Sequence, residues 1–360
     1  MRVMTVIGEL SIGGAETTAL RLAGGLVERG HDVHTVALRN RGELGDEYLR
    51  MGVKLHSRVL KFRYDILSSF RIARIIRREK IDAVIMVDAL KNVMCFTSLG
   101  IKLSGRNVRK ILWSNSVPTG QMGDFAPRVK KFLDTGRLDE VVCTSEAQKR
   151  SFTDRGIDGN KIRVIYNGVD IEQFADATPA DLPQATGRPV ILHVANVMPD
   201  KDFETLFAAA KKLVSQGVSF CLLLAGRDTD SETMRNHISE LGLDNIVIPL
   251  GLRSDIPQIL AAADVFVISS HSEVFNVATL EAMAAGVAVI TSDLPGFDEM
   301  FDTTQGMKVT PEDPEALAVG IKRLLEDKQL RIRQITAGKA RVERFSVGKM
   351  CEDFATILAR

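Results

Sequence analysis

The chain has 360 residues, 45% of them hydrophobic and 26% charged, with 28 Gly, 11 Pro and four Cys. That is more than one core of about 100–150 residues accommodates, so two domains are expected, and collagen-like, disordered and disulfide-stapled classes are excluded. The formal net charge of +1 conceals an asymmetry: residues 1–175 hold 29 Lys/Arg against 20 Asp/Glu, and the remainder 18 against 26.

Short β-branched apolar runs alternate with longer amphipathic stretches, the pattern of βαβ units around parallel sheets. In chain order, the first half supplies strand candidates at 3–7, 32–38, 83–87, 110–113, 140–144 and 161–165. The opening run is short, meets Glu9 and lacks a small-residue cleavage signal, so it reads as a strand and not as an export signal. Residues 175–189 then carry three prolines, small residues and no helical period, and 176–188 reads as an interdomain linker. The second half repeats the alternation, with strands expected at 190–194, 219–225, 246–250, 265–269 and 287–291. The expected organisation is a Rossmann-like domain over 1–175, a second over 189–344, and a terminal helix over 345–360. Met350, Phe354, Ile357 and Leu358 form that helix's apolar stripe, expected to pack back on the N-terminal domain. No run of 18 apolar residues occurs, which argues against a spanning helix. Cys95, Cys143, Cys221 and Cys351 lack metal spacing and read as free thiols in a reducing cytosol, and the six histidines show no zinc spacing.

Three motifs carry chemistry. Gly8-Glu-Leu-Ser-Ile-Gly-Gly-Ala-Glu16 links the first strand to a helical run; paired glycines let backbone approach a ligand, and a helix start offers N–H groups to phosphate. The spacing fails GxGxxG, against a nicotinamide cofactor, and a plain strand-to-helix turn reads equally well. Lys201 follows the strand at 190–194 and enters a helix, where an ammonium can neutralise a phosphate; a solvated lysine is the commoner case for any single residue. Most informative is Ser269-Ser-His-Ser-Glu273-Val-Phe-Asn-Val-Ala-Thr-Leu-Glu281, two glutamates eight apart across a strand-to-helix turn. A carboxylate on such an apolar helix needs donors to offset lost hydration, and sugar hydroxyls are suitable ones. Asp228-Thr-Asp230 is a DxD of the kind that binds a divalent cation, but it reads as a solvated loop with Ser231 capping the next helix; no metal is expected.

With these motifs stand Tyr166-Asn-Gly-Val-Asp170, Leu223-Leu-Ala-Gly-Arg227, Ala261-Ala-Ala-Asp-Val-Phe-Val267 and Asp293-Leu-Pro-Gly-Phe-Asp-Glu299. In this order, across nearly the whole chain, they resemble the GT-B glycosyltransferases of glycosyltransferase family 4, retaining enzymes that use nucleotide sugars. The resemblance implies an α/β fold of two Rossmann-like domains facing across a cleft, the N-terminal one for the acceptor and the C-terminal one for the donor. It implies that Lys201 binds the donor diphosphate, Glu273 the hydroxyls of the transferred sugar and Glu281 the ribose. Backbone at Gly13, Gly14, Phe275, Asn276 and Val277 would complete the phosphate cradle, and Arg253 lies in the loop that cups the base. Lys201 and Glu273 are the catalytic candidates; no prosthetic group is implied, only a UDP- or GDP-sugar. Three positions depart from the family pattern: Asn196 stands where most members have arginine, Val274 where glycine is frequent, and Asn115 where many have histidine. Asn196 stays a donor-site candidate, and Asn115 and Glu16 are acceptor-side candidates.

The expected activity is transfer of a hexose or N-acetylhexosamine to a saccharide or polyprenyl-diphosphate-linked saccharide acceptor. A nucleotide-sugar-binding subunit without turnover and a same-fold epimerase are the alternatives. Basic clusters at Arg58, Lys61 and Arg63, at Arg77, Arg78 and Lys80, and at Arg106, Arg109, Lys110, Arg128, Lys130 and Lys131 belong to the N-terminal half. Each alone reads as a solvated face; together they suggest an anionic acceptor at the inner surface of the cytoplasmic membrane. Nucleic acid is not expected, because no stacking aromatics interleave with the charge.

Overall fold

The computed structural model describes residues 1–62, 65–116, 118, 123–185 and 187–359. These residues form two compact units, one from Met1–Gly168 with the terminal helix Val347–Leu358, the other from Val169–Ser346.

The first unit is built on seven parallel strands: β1 (Arg2–Ile7), β2 (Asp32–Ala37), β3 (Lys54–His56), β4 (Ala83–Val87), β5 (Arg109–Ser114), β6 (Glu140–Cys143) and β7 (Ile162–Val164), in the order β3-β2-β1-β4-β5-β6-β7. β1 is central, with Val3 between Val33 and Ala83, and its apolar run is buried on both faces. The polar interruptions Thr5 and Thr35 face each other across β1 and β2 and hydrogen-bond at 2.8 Å, so neither hydroxyl is left unpaired in the core. One sheet face packs the helices Leu67–Arg78 and Lys91–Ser104 through Ile72, Ile76, Val93 and Ile101. The other packs the helix Gly14–Glu28 and the terminal helix, whose Phe354 meets Trp113 edge-on at 4.9 Å between ring centroids.

The second unit has six parallel strands, β8 (Val190–Val194), β9 (Cys221–Ala225), β10 (Val247–Gly251), β11 (Val265–Ile268), β12 (Ala288–Ser292) and β13 (Met307–Val309), in the order β10-β9-β8-β11-β12-β13. β3 and β13 escape the sequence reading because each is a three-residue, partly exposed edge strand, too short to show a period. Segment 176–188, in which Thr186 is outside the described residues, lies within this unit. The chain enters it at Val169, whose N–H bonds the Phe345 carbonyl at 2.8 Å, and Ala180 N–H bonds the Gln258 carbonyl at 2.8 Å. Proline and small residues mark irregular backbone there, but backbone hydrogen bonding ties it down.

His193 on β8 is fully buried, and its Nδ1–H donates to the Val267 carbonyl at 2.9 Å. Burial pulls the imidazole down to about 4, more than the Val267 bond lifts it. An unfolded histidine takes up its proton near pH 6.5, so the folded state loses stability as pH falls from there towards 4, by about 2 kcal/mol at pH 5. Thermal melts of His193→Gln should show a shallower loss of stability between pH 7 and 5 than the parent chain; parallel curves would refute the assignment.

Candidate active site

The second sheet reverses strand order between β8 and β11. At such a switch point the two following loops diverge and leave a crevice beyond the strand ends. Lys201 arrives from β8 and Glu273 from β11, and they form an ion pair with side chains 17% and 9% exposed. The loops that carry them are stitched together: Asp202 N–H bonds Ser269 O at 3.1 Å, Ser269 Oγ donates to Asp202 O at 2.8 Å, and His271 N–H bonds Asp200 O at 2.9 Å. Asp202 also caps the helix Phe203–Ser215 by accepting the Thr205 N–H at 3.0 Å.

Asn276 works at both ends of its amide. Its Oδ1 caps the helix Val277–Ala285, accepting the Thr279 N–H at 2.9 Å, while its Nδ2 donates to Glu273 Oε1 at 2.7 Å. Ser270 Oγ adds a longer bond to the same oxygen at 3.4 Å. A Cβ at Gly296 would collide with the carbonyl oxygens of Glu273 and Val274, so glycine there lets the loop sit down. Val274 itself avoids the left-handed region. Burial acts to lower the Lys201 ammonium, but the Glu273 carboxylate beside it, with Asp200 at 3.6 Å, more than offsets this and holds the group above its ordinary value. The site therefore carries a charged ammonium held by two carboxylates, Glu273 and Asp200, at a helix start.

Glu281 is half-buried on the same helix, about one and a half turns beyond Asn276 by spacing. Phe275 is buried against Phe345, ring centroids 5.6 Å apart, so its side chain serves packing, and Val277 is buried as well. Asn196 accepts the Arg227 N–H at 2.8 Å and joins the loops after β8 and β9; half-buried Arg227 thus sits directly beside it. Arg253 is engaged by Asp255 through two bonds of 2.8 and 2.6 Å. In the DxD, Thr229 is buried and its hydroxyl accepts the Gly251 N–H at 3.1 Å, while Ser231 caps the helix Glu232–Glu240. Among the described residues no three His, Cys, Asp or Glu come together as a metal site.

In the first unit, Gly13 is extended and begins the helix Gly14–Glu28 without a side-chain cap; the Glu16 carboxylate lies over it, 2.5 Å from where a Cβ would be. Asn115 follows β5, and its N–H bonds Asp88 Oδ1 at 2.9 Å, which Ser116 Oγ also approaches at 3.2 Å. Asn167 Nδ2 donates to Asn115 Oδ1 at 3.2 Å, leaving Asn115 Nδ2 and Asn167 Oδ1 buried with no partner among the described residues. Asp88 holds a φ of +64°, and burial pushes its carboxyl above the ordinary value against those two bonds. This sheet reverses between β1 and β4, and Asp88 follows β4 directly. Sequence reading missed it; the available signal is a carboxylate placed immediately after a wholly apolar strand.

Two Rossmann-like parallel-sheet units, each with polar groups gathered at its switch point, define the GT-B class. Residues 12–173 match the family model described as Glycosyltransferase Family 4, and residues 175–341 the one described as Glycosyl transferases group 1. The chain belongs to the GT-B glycosyltransferases of family 4 and is a glycosyltransferase enzyme. It is 27% identical over 352 residues to the lipopolysaccharide core biosynthesis glycosyltransferase LpsE of Rhizobium meliloti (strain 1021), covering 96% of each chain. It is 24% identical to N-acetyl-alpha-D-glucosaminyl L-malate synthase of Bacillus anthracis, covering 96% of this chain and 94% of that one. Among solved structures, Anabaena Alr3699/HepE in complex with UDP-glucose superposes with a TM-score of 0.86 at 19% identity, covering 100% of this chain and 99% of that one.

Proposed function

We propose that the protein transfers a hexose or N-acetylhexosamine, with retention, from a UDP- or GDP-sugar to a saccharide or polyprenyl-diphosphate-linked saccharide in glycoconjugate synthesis. The observation that carries this reading is the Lys201–Glu273–Asn276 cluster at the β8/β11 switch point. Transfer through an oxocarbenium-like sugar needs positive charge where the diphosphate departs. Lys201 supplies it as a point charge, and the backbone N–H groups around Phe275, Asn276 and Val277 supply it as a helix start. No divalent cation is required by this arrangement. When a donor binds, the diphosphate takes over Lys201, and Glu273 turns its acceptor oxygens to hydroxyls of the transferred sugar. Glu281 holds the ribose, and the loop at 251–253, with Arg253, lies against the base. Asn196 brings Arg227 to the diphosphate side in place of a family arginine. In the first unit Asn115, Asn167, Asp88 and Glu16 are the groups for the acceptor.

The buried unpaired thiols Cys143, Cys221 and Cys351 fit a reducing compartment, and the enzyme works in the cytoplasm at the inner face of the membrane. No helix among the described residues is long and apolar enough to cross one. A thermal-shift screen against UDP, GDP and their sugars tests the reading, since a ligand bound only by the folded state raises the melting temperature. One nucleotide class should stabilise the protein, and Glu281→Ala should weaken its affinity on the order of tenfold through loss of charged hydrogen bonds to the ribose. No shift with any of them would overturn the donor assignment. Asparagine at 115 and 196 favours a second reading, a nucleotide-sugar-binding subunit without turnover; donor hydrolysis in the absence of acceptor separates the two.

A further inference from the structure

The helix Leu67–Arg78 begins inside out. Ser68 and Ser69 are fully buried, while Phe62, Ile66, Leu67 and Phe70 are 56% to 63% exposed. The cause is the neighbouring helix Lys91–Ser104: at Gly100 a Cβ would stand 2.7 Å from Ile72 Cγ2 and 3.0 Å from the Ser69 carbonyl. At that approach only small side chains fit the buried side of the first turn, and the large apolar ones are left facing outward. Leu67, Phe70 and exposed Arg74 follow at i, i+3 and i+7 along one helix face.

Side-chain bonds tie described residues before the helix to its second turn. Buried Asp65 accepts Arg71 Nη1 at 2.6 Å and the Lys61 N–H at 2.9 Å, and Arg71 Nη1 donates to the Val59 carbonyl at 2.7 Å. Exposed Phe62 and Ile66 stand next to these bonded residues in the chain, ahead of Leu67 and Phe70. Around them Arg58, Lys61 and Arg74 are exposed; further along, Arg77 bonds the Leu103 and Ser104 carbonyls and Arg78 pairs with Glu79, and Arg63 lies outside the described residues. Asp65 is the only acid between residues 57 and 78, and Arg71 neutralises it. Four large apolar side chains flanked by the exposed cations Arg58, Lys61 and Arg74 exceed what isolated surface residues present and mark a contact surface.

We propose that this apolar tip inserts into an anionic lipid bilayer surface, with Arg58, Lys61 and Arg74 on the headgroups. Charge decides the occupant: a second copy would bring the same cations face to face, whereas anionic headgroups complement them, and apolar insertion with a basic rim supplies the two signals that stable surface binding needs. The inference stands apart from the donor site, which lies in the other unit.

Sedimentation with vesicles of phosphatidylglycerol mixed with phosphatidylcholine, against vesicles of phosphatidylcholine alone, tests it. The parent chain should pellet with the anionic vesicles and release with added salt. Leu67→Ser/Phe70→Ser should weaken that binding at least about tenfold, and Arg74→Glu should weaken it most at low salt. Both variants should keep the parent melting temperature and nucleotide-induced shift, which separates lost docking from lost folding or lost donor binding. Anionic-vesicle binding unchanged in the double variant, or absent in the parent chain, would overturn the proposal. So would a vesicle-free dimer that the double variant dissociates, since that assigns the tip to a second copy.

Discussion

Alanine at Glu273 is expected to lower kcat on the order of 10²- to 10³-fold while leaving nucleotide-diphosphate affinity within about threefold of the parent, or tighter. The split follows from what Glu273 does without a donor: it occupies Lys201 and accepts the Asn276 amide at 2.7 Å. Its removal frees the ammonium for the diphosphate, so binding of UDP or GDP alone does not suffer. Transfer suffers, because hydroxyls of the departing sugar lose the acceptor that holds them as positive charge grows on the ring. Glu273→Gln keeps the shape and loses the charge, so it should fall between the parent and the alanine variant. Steady-state kinetics with the donor varied checks this; a rise in KM with kcat unchanged would show that Glu273 only binds.

Lys201→Ala should behave in the opposite way, weakening nucleotide-diphosphate binding on the order of 10- to 100-fold and lowering kcat/KM by at least as much. It also strands the Glu273 carboxylate, 9% exposed, with only the Asn276 amide and the distant Ser270 hydroxyl as donors. Breaking a largely buried ion pair from one side costs stability, here about 2 kcal/mol. Lys201→Ala/Glu273→Ala should recover most of that loss, because neither charge is then left alone, and the two single effects should fail to add. Lys201→Arg should not restore activity, since a planar fork in this niche cannot take the place of a compact ammonium between Asp200 and Glu273. Urea melts of the four variants measure the stability side, and additive losses would show that the ion pair does not couple the two residues.

Much of this was legible in the residues, for physical reasons. Central strands such as β1 and β8 are buried on both faces and announce themselves as near-continuous apolar runs, broken only by Thr5 and His193, so both parallel sheets can be read from the sequence. The glutamates at 273 and 281 stand out because a carboxylate at the edge of an Ala/Met/Leu helix is costly without a purpose. What sequence could not show is partnership at a distance. Nothing in the local pattern says that Asn276 divides its amide between a helix cap and Glu273, or that Asp255 takes up Arg253. Asp88 was hidden because its meaning depends on strand order, which places it at the reversal between β1 and β4. The helix at 67–78 reads as amphipathic from its spacing, and only the close approach at Gly100 explains why its first turn buries serines and exposes Leu67 and Phe70. The composition at 176–188 reads as a linker, but the hydrogen bond that fastens it from Ala180 to Gln258 joins residues far apart in the chain.

The central claim is a nucleotide-diphosphate site built on Lys201 and Glu281, and calorimetric titration of UDP and of GDP into the parent chain and into Lys201→Ala and Glu281→Ala tests it most directly. The account predicts one-to-one binding of at least one of the two nucleotides by the parent chain, with affinity lowered on the order of tenfold or more in each variant. Unchanged affinity in both variants, or no binding of either nucleotide by the parent chain, would contradict it.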